Sequence, residues 1–253
     1  MKIAELKTFV VGNPPPHHGG RYFIFVKLTT ACGIEGVGEV YAATFGPQTI
    51  AAMIEDVFGR HVEGRNPLRV EAMWRAVYGS GFSLRPDISL MGVLSGLELA
   101  CWDIAGKAAD RPVHDLLGGK LRERLRTYTY LYPPQGNVYP DDDDNVYTNA
   151  DIAAEVAASL VADGFTAVKF DPAGPYTVHG GRQPSLNELD RSEDFIKKIR
   201  AAVGKPADLL IGTHGQFSAS GAIRLARRLQ AYDPLWFEEP VPPEMPEEMA
   251  KVA

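Results

Sequence analysis

The chain contains 253 residues, of which 45% are hydrophobic, and its formal net charge is −6. A chain of this size and composition can bury a sizeable core in one or two domains. Its charged residues are scattered and form no basic footprint of the kind that binds nucleic acid. The N-terminus lacks a signal-peptide pattern, and no apolar run is expected to be long enough to span a membrane. The two cysteines, Cys32 and Cys101, lack metal-ligand spacing, which predicts reduced thiols and a cytoplasmic protein.

The first part of the chain has the pattern of three strands followed by helices. The predicted strands cover residues 2–10, 22–30 and 36–40, and the first two predicted helices cover residues 47–57 and 68–78. The first two strands are separated by a proline- and glycine-rich turn, and the third follows closely. This spacing predicts an antiparallel meander with helices packed against it.

A longer helix is predicted within Met91–Gly119. Its apolar face is defined by residues at three- and four-residue steps, which are Leu94, Leu97, Ala100, Cys101, Ile104 and Ala108. Small residues that should allow a neighbouring element to approach closely are Gly92, Gly96, Ala100 and Ala105. Glu98 and Asp103 on this helix are interpreted as paired or exposed acids rather than functional ones.

From Arg124 onward, strands alternate with helices. The predicted strands cover residues 125–132, 166–171, 208–211 and 235–238, and the intervening helices cover residues 150–162, 186–203 and 220–231. This alternation predicts βα units around a parallel sheet. The right-handed crossover rule then places the carboxyl ends of the strands at one common face.

Titratable side chains stand at three of these strand ends. They are Lys169 and Asp171, then His214, then Glu238 and Glu239. Catalytic groups of α/β barrels stand at the carboxyl ends of the strands. Carboxylate oxygens are the ligands that Mg²⁺ prefers in proteins. The sequence therefore predicts a Mg²⁺ site at this rim.

The run LSGLELACWDIAGKAADRPVHDLLGG and the turn Glu238-Glu239-Pro240 resemble the mandelate racemase/muconate lactonizing enzyme branch of the enolase superfamily. The resemblance extends over nearly the whole chain. It implies an α+β capping domain, residues 1–123, followed by an α/β barrel of the modified TIM type, residues 124–253. Only about half of that barrel is expected here, because a full one takes roughly 250 residues. The third metal ligand and the histidine base of the family are therefore not expected in this chain.

The resemblance also implies roles for residues at the strand ends. Glu238 matches a glutamate that ligates the metal. Galactonate-dehydratase-like members have Asp-x-His-Gly at the third strand, where this chain has Gly212-Thr213-His214-Gly215. Glycine thus replaces the first aspartate ligand. The retained histidine implies that His214 is the general acid for a departing β-hydroxyl.

Lys169 matches the first lysine of the family's Lys-x-Lys pattern, which implies that it binds or polarises the substrate carboxylate. Asp171 replaces the second lysine, the base of racemases, and this departure disfavours racemase chemistry on that face. Asp171 is predicted to contact the substrate or to supply the metal-binding carboxylate that Gly212 lacks.

The loop after the first strand contacts substrate in this family. That implies binding roles for His17, His18, Arg21 and Tyr22, and such side chains suit a polyhydroxy acid. A proline-glycine loop without substrate contacts is the open alternative.

These patterns favour a Mg²⁺-dependent acid-sugar dehydratase that resembles galactonate dehydratase. It is expected to be a homo-oligomer that acts on a small sugar acid, with no nucleic-acid or membrane partner. Two alternatives stay open. One is a cycloisomerase or racemase of the same superfamily, with Lys169 as the base. The other is a catalytically inactive binding protein, which Gly212 and the missing strands would explain.

Overall fold

The computed structural model describes residues 1–15, 17, 19–41, 45–133, 145–172 and 182–253. The chain forms two compact units, residues 1–123 and 124–253. Each unit contains its own cluster of buried hydrophobic side chains.

The first unit packs helices against a three-stranded antiparallel sheet with the strand order β1-β2-β3. The strands are β1 (Ile3–Gly12), β2 (Tyr22–Thr30) and β3 (Glu35–Val40). The helices are α1 (Pro47–Val57), α2 (Val70–Gly79), α3 (Ile88–Ala109) and α4 (Val113–Leu116). The antiparallel meander predicted from the sequence is therefore confirmed.

Helix α3 lies very close to strand β3. A Cβ atom on Gly38 would stand 1.9 Å from the carbonyl oxygen of Gly96, and one on Gly36 would stand 2.1 Å from that of Ala100. A Cβ atom on Gly96 would stand 2.3 Å from the side chain of Val40. The close approach predicted from small residues on the helix is thus confirmed at Gly96 and Ala100. The strand contributes glycines of its own to the same contact.

Most of the predicted apolar face of α3 is buried. Leu94, Leu97, Ala100 and Ile104 are 0% exposed and Cys101 is 1% exposed, whereas Ala108 in the last turn is exposed, so the prediction was wrong there. Asp103 accepts hydrogen bonds from the backbone N–H of Val37 and from Lys107, as expected for a structural acid.

Within the described ranges, α3 is the one helix long and apolar enough to cross a membrane, judged by length and composition alone. This differs from the expectation that no run would qualify. Its 22 residues have a mean hydropathy of 1.4. Nine of them are buried in the first unit, where the helix packs on β3 and α2. The high hydropathy is thus accounted for by burial against protein.

The two cysteines of this unit lie in different surroundings. Burial raises the pKa of the Cys101 thiol to about 12. Cys32 lies in the exposed turn between β2 and β3, where a hydrogen bond with the Thr30 hydroxyl lowers the pKa of its thiol.

The second unit contains a parallel sheet with the order β4-β5-β6-β7. The strands are β4 (Thr129–Tyr130), β5 (Ala167–Phe170), β6 (Asp208–Gly212) and β7 (Trp236–Glu238). The helices are α5 (Ala150–Ala162), α6 (Leu186–Val203), α7 (Ala219–Leu229) and α8 (Pro246–Val252). The parallel βα arrangement is confirmed, and four such strands fit part of a barrel. The first strand is much shorter than the predicted residues 125–132.

Helix α6, which leads into β6, begins with a complete capping box. The Ser185 hydroxyl accepts a hydrogen bond from the backbone N–H of Glu188, and the Glu188 carboxylate accepts one from the backbone N–H of Ser185. Arg182 pairs with the same carboxylate. The Ser185 N–H, together with the Arg182 guanidinium, lowers the pKa of Glu188 to about 2.

Candidate active site

The register of the parallel sheet places three of the predicted site positions on one face. Lys169 pairs with Leu210, and Gly212 pairs with Glu238 two residues further along the neighbouring strands. Side chains alternate between the faces of a strand with a period of two residues. The residues in between belong to the hydrophobic cluster on the helix side, namely Val168, Phe170, Leu209, Ile211 and Phe237. Lys169, Gly212 and Glu238 therefore face away from the helices.

The structure brings Lys169 and Glu238 into direct contact. The Lys169 ammonium donates to Glu238 Oε1 at 2.5 Å, and Lys169 is 8% exposed. The same Nζ atom lies 5.6 Å from the ring centroid of Tyr130 and 6.0 Å from that of Tyr128. Burial of an ammonium is costly unless its charge is paired, and aromatic faces add further stabilisation. The carboxylate and the two rings supply that environment here.

Asp171 and His214 form a second pair. Asp171 Oδ2 lies 3.7 Å from His214 Nδ1, which is an electrostatic contact rather than a hydrogen bond. The carboxylate side chain is 3% exposed and the imidazole 45% exposed. The acid thus lies behind a histidine that is open to solvent. The contact places a buried carboxylate beside this imidazole.

Gly212 lies close to members of both pairs. A Cβ atom at this position would stand 3.0 Å from Lys169 Cε and 3.7 Å from both His214 Cε1 and the Tyr130 hydroxyl oxygen. Position 212 therefore faces the cluster, as expected for the family's aspartate position, but carries no side chain. Tyr130 was not singled out from the sequence. Its pairing with Lys169 depends on which residue of a threonine- and tyrosine-rich run enters the sheet.

The turns that follow β6 and β7 are bonded to each other. The backbone N–H groups of Thr213, Gly215 and Phe217 donate to the carbonyl oxygens of Glu238, Glu239 and Pro240, respectively. The Thr213 hydroxyl donates to the Glu238 and Glu239 carbonyls at 2.9 and 3.0 Å.

Both turns contain a non-glycine residue in the left-handed region, because φ is +50° at His214 and +49° at Glu239. Such a conformation costs on the order of 1 kcal/mol or more and persists only where the surrounding structure holds it. The hydrogen bonds between the turns provide that support.

The donor chemistry at this rim is only partly that of a magnesium site. Glu238 and Asp171 carry the carboxylate oxygens that Mg²⁺ prefers, and this ion often binds through one or two carboxylates while keeping several waters. The residues that the structure describes include no group of three or more His, Cys, Asp or Glu side chains that could hold a metal ion. Glu238 also has the Lys169 ammonium as a partner, so a cation there would have to share or replace it.

The predicted substrate contacts of the first unit lie on the β1–β2 loop. His17 Nδ1 is 2.5 Å from the Asn13 carbonyl oxygen, and the Tyr22 hydroxyl donates to the Phe45 carbonyl at 3.2 Å. Arg21 is exposed, and His18 lies outside the described residues. These bonds stay within the first unit, and the substrate contacts of all four residues remain predictions.

Two family models match the chain. Residues 17–118 match the N-terminal domain of mandelate racemase/muconate lactonizing enzyme, and residues 151–253 match the enolase C-terminal domain-like family. Together they cover both units of the structure.

Several relatives are dehydratases of sugar acids. The D-galactonate dehydratase of Ralstonia nicotianae is 32% identical over 253 residues, which are 100% of this chain and 59% of that protein. The D-gluconate dehydratase of Thermoproteus tenax is 31% identical over 220 residues, 87% of this chain and 41% of that protein. The chain thus spans about half the length of these relatives.

Solved structures agree with the fold. A mandelate racemase/muconate lactonizing enzyme-like protein from Roseovarius sp. TM1035 is 56% identical and superimposes with a TM-score of 0.93. The similarity covers 100% of this chain and 63% of that one.

Proposed function

Because the chain belongs to the mandelate racemase/muconate lactonizing enzyme branch of the enolase superfamily, we propose that it takes part in the dehydration of a sugar acid. The reaction transfers the proton next to the carboxylate to a base, which is not assigned among the described residues, and expels the β-hydroxyl as water, so that it yields a 2-keto-3-deoxy acid. The dehydratases among its relatives support this reaction class.

The cluster at the carboxyl ends of β5, β6 and β7 is the observation that carries the proposal. One side of it holds the Lys169 ammonium against Glu238, and the other holds the His214 imidazole against Asp171. A buried cation and a solvent-open proton donor therefore both lie next to Gly212. Dehydration of a hydroxy acid needs both functions at neighbouring substrate atoms.

Each side chain then has a separate task. Lys169 binds the substrate carboxylate and, as charge builds up on its oxygens during loss of the proton, stabilises the enediolate by its fixed positive charge. His214 gives a proton to the β-hydroxyl as the carbon–oxygen bond breaks, so that water rather than hydroxide departs. Asp171 places a carboxylate 3.7 Å from the imidazole that gives the proton.

Mg²⁺ is proposed as the cofactor, with Glu238 and Asp171 among the groups that would hold it. When bound, it supplies further positive charge to the enediolate oxygens. His17, His18, Arg21 and Tyr22 are proposed to bind the hydroxyl groups of the substrate. The protein is proposed to be a cytoplasmic homo-oligomer.

The proposal is tested by incubating the protein and Mg²⁺ with a panel of aldonic and aldaric acids and detecting 2-keto-3-deoxy products with semicarbazide. His214→Gln is expected to lower kcat by about a hundredfold or more, the usual size of a general-acid contribution. The matched control is His114→Gln, which changes an exposed histidine on α4 and should keep full activity. Isomerised products would favour a cycloisomerase or epimerase, and no product from any acid would contradict the dehydratase.

The metal assignment is tested by calorimetric titration with Mg²⁺. Glu238→Gln and Asp171→Asn should each weaken binding by at least about tenfold, because each removes one anionic oxygen ligand. Unchanged affinity in Asp171→Asn would remove that residue from the ligand set. Absence of binding to the unmodified protein would contradict the cofactor assignment and favour an inactive binding protein.

A further inference from the structure

Thr213 lies next to the cluster formed by Lys169, Glu238, Asp171 and His214. Its own side chain contacts neither the side chains of that cluster nor solvent. It is 0% exposed and lies between Gly212 and His214 on the turn after β6. Its hydroxyl donates to the carbonyl oxygens of Glu238 and Glu239 at 2.9 and 3.0 Å, and its backbone N–H donates to Glu238 at 3.1 Å. One residue thus links the turn that carries His214 to the end of β7 through two donors, its backbone N–H and a hydroxyl proton shared between two carbonyl oxygens.

The hydroxyl differs in kind from the backbone bonds around it. A parallel sheet supplies N–H donors to a neighbouring strand through its regular ladder, and that ladder ends where the strands end. Beyond β6 and β7 the chain enters two left-handed residues, His214 and Glu239, whose conformation the ladder cannot hold. The carbonyl of Glu239 receives Gly215 N–H at 2.6 Å and the Thr213 hydroxyl. The side chain therefore adds a donor to the backbone hydrogen bonds that join the two chain segments beyond the strand ends.

We propose that Thr213 is a positioning residue. Its hydroxyl fixes the distance between the proton-donating His214 and the Lys169–Glu238 pair by tying the turn that carries His214 to the end of β7, which carries Glu238. The inference rests on the proposed function for its catalytic consequence, but its structural part stands on the rim itself. A displacement of about 1 Å between reacting groups can lower a rate by about a hundredfold. A small loosening of the two turns would therefore reduce turnover before it affected the fold.

The test compares two substitutions at this position, one that removes the buried hydroxyl and one that keeps it. Thr213→Val keeps the shape of the side chain and removes the donor, and Thr213→Ser keeps the donor. The control is Thr30→Val in the first unit, since Thr30 is 2% exposed and its hydroxyl also donates to a backbone carbonyl, that of Ile34 at 3.0 Å. Both valine variants should lower Tm, and Thr30→Val by at least as much, because it also removes the acceptor of the Ile34 N–H.

Two readouts separate positioning from stability. One is amide hydrogen exchange at Gly215 and Phe217, with Leu235, which donates to Leu209 further down the sheet, as an internal reference. The other is the ¹⁵N resonance of the Lys169 ammonium. Thr213→Val should accelerate exchange at the two rim amides by about tenfold or more relative to Leu235, and it should shift the ammonium resonance. Thr213→Ser should restore both, and Thr30→Val should change neither.

With an active substrate, Thr213→Val should lower kcat by about ten- to a hundredfold with little change in KM, and Thr213→Ser should recover most of it. The positioning role is overturned if Thr213→Val lowers Tm but leaves rim exchange and the ammonium resonance as they are in Thr30→Val. An inactive unmodified protein would contradict the dehydratase, whereas the exchange data would still decide the role of Thr213.

Discussion

Glycines have opposite uses in the two units of this protein. Between α3 and β3, a Cβ atom on Gly38 would meet the backbone carbonyl of Gly96 at 1.9 Å, and this backbone cannot move without displacing the helix. At the rim of the second unit, a Cβ atom on Gly212 would meet the far end of the Lys169 side chain at 3.0 Å, and that side chain can turn aside. The first kind of glycine brings two backbones together, and the second leaves room beside polar groups.

The difference shows that a missing side chain is informative only together with what surrounds it. A glycine pressed against backbone contributes to stability through close packing. A glycine that faces a lysine, a histidine and a tyrosine hydroxyl contributes to the shape and charge of a site. The two kinds should respond differently to the addition of a single methyl group.

The largest effect is expected for Gly38→Ala. The new methyl group would overlap the carbonyl of Gly96, so α3 must move away from the sheet, at a loss of about 3 kcal/mol or more in the free energy of unfolding. Urea denaturation measures this loss. The control is Gly12→Ala in β1, where nothing lies within 4 Å of the added Cβ and stability should be retained. A Gly38→Ala protein as stable as this control would break the comparison.

An intermediate effect on stability is expected for Glu188→Gln. This substitution tests how much the stability of the second unit depends on the charge of one carboxylate. The pKa of Glu188 is lowered to about 2 by the Ser185 N–H and by Arg182, so its carboxylate stabilises the folded state above its ordinary pKa of 4.5. That contribution is lost as the pH falls through about 2.

The urea midpoint of Glu188→Gln should therefore be lower than that of the unmodified protein at pH 7, and the two should converge between pH 4.5 and 2. Glu155→Gln, on the exposed face of α5, should leave the midpoint at pH 7 unchanged. If the urea midpoint of Glu188→Gln stayed below that of the unmodified protein by the same amount down to pH 2, the shape of the side chain rather than its charge would matter at this helix cap.

The smallest effect on stability is expected for Gly212→Ala. Lys169 can shift by a few tenths of an ångström, so the free energy of unfolding should change by less than about 1 kcal/mol. The methyl group would nevertheless occupy the space beside the Tyr130 hydroxyl and raise KM for the acid substrate. Measuring Tm and KM on the Gly212→Ala protein tests both the small change in stability and the increase in KM. A loss of stability similar to that of Gly38→Ala would remove the distinction between the two kinds of glycine.

The sequence predicts the scaffold well where local patterns decide it. The helix from Pro47 to Val57, the alternation of strands and helices after Arg124 and the small residues Gly96 and Ala100 on α3 all follow from periodicity and turn chemistry. It predicts β4 poorly. A run of threonine and tyrosine has strand propensity throughout, but only Thr129–Tyr130 finds pairing partners on β5.

The candidate site was predicted by type of residue rather than by contact. That Lys169, His214 and Glu238 stand at strand ends follows from the pattern. The pairing of Lys169 with Glu238 depends on the register of strands 69 residues apart in the chain. The left-handed residues could not be predicted either, since neither His214 nor Glu239 favours positive φ without the bonds between the turns.

Because the two thiols lie in different surroundings, their chemical modification can report local opening of the first unit. A maleimide or iodoacetamide reagent added to the folded protein should modify Cys32, which is exposed, and spare Cys101, whose reactive thiolate form is suppressed by burial. Modification of Cys101 then requires α3 to separate from its neighbours. The rate at which Cys101 is modified would therefore measure how often the first unit opens transiently, without an introduced probe.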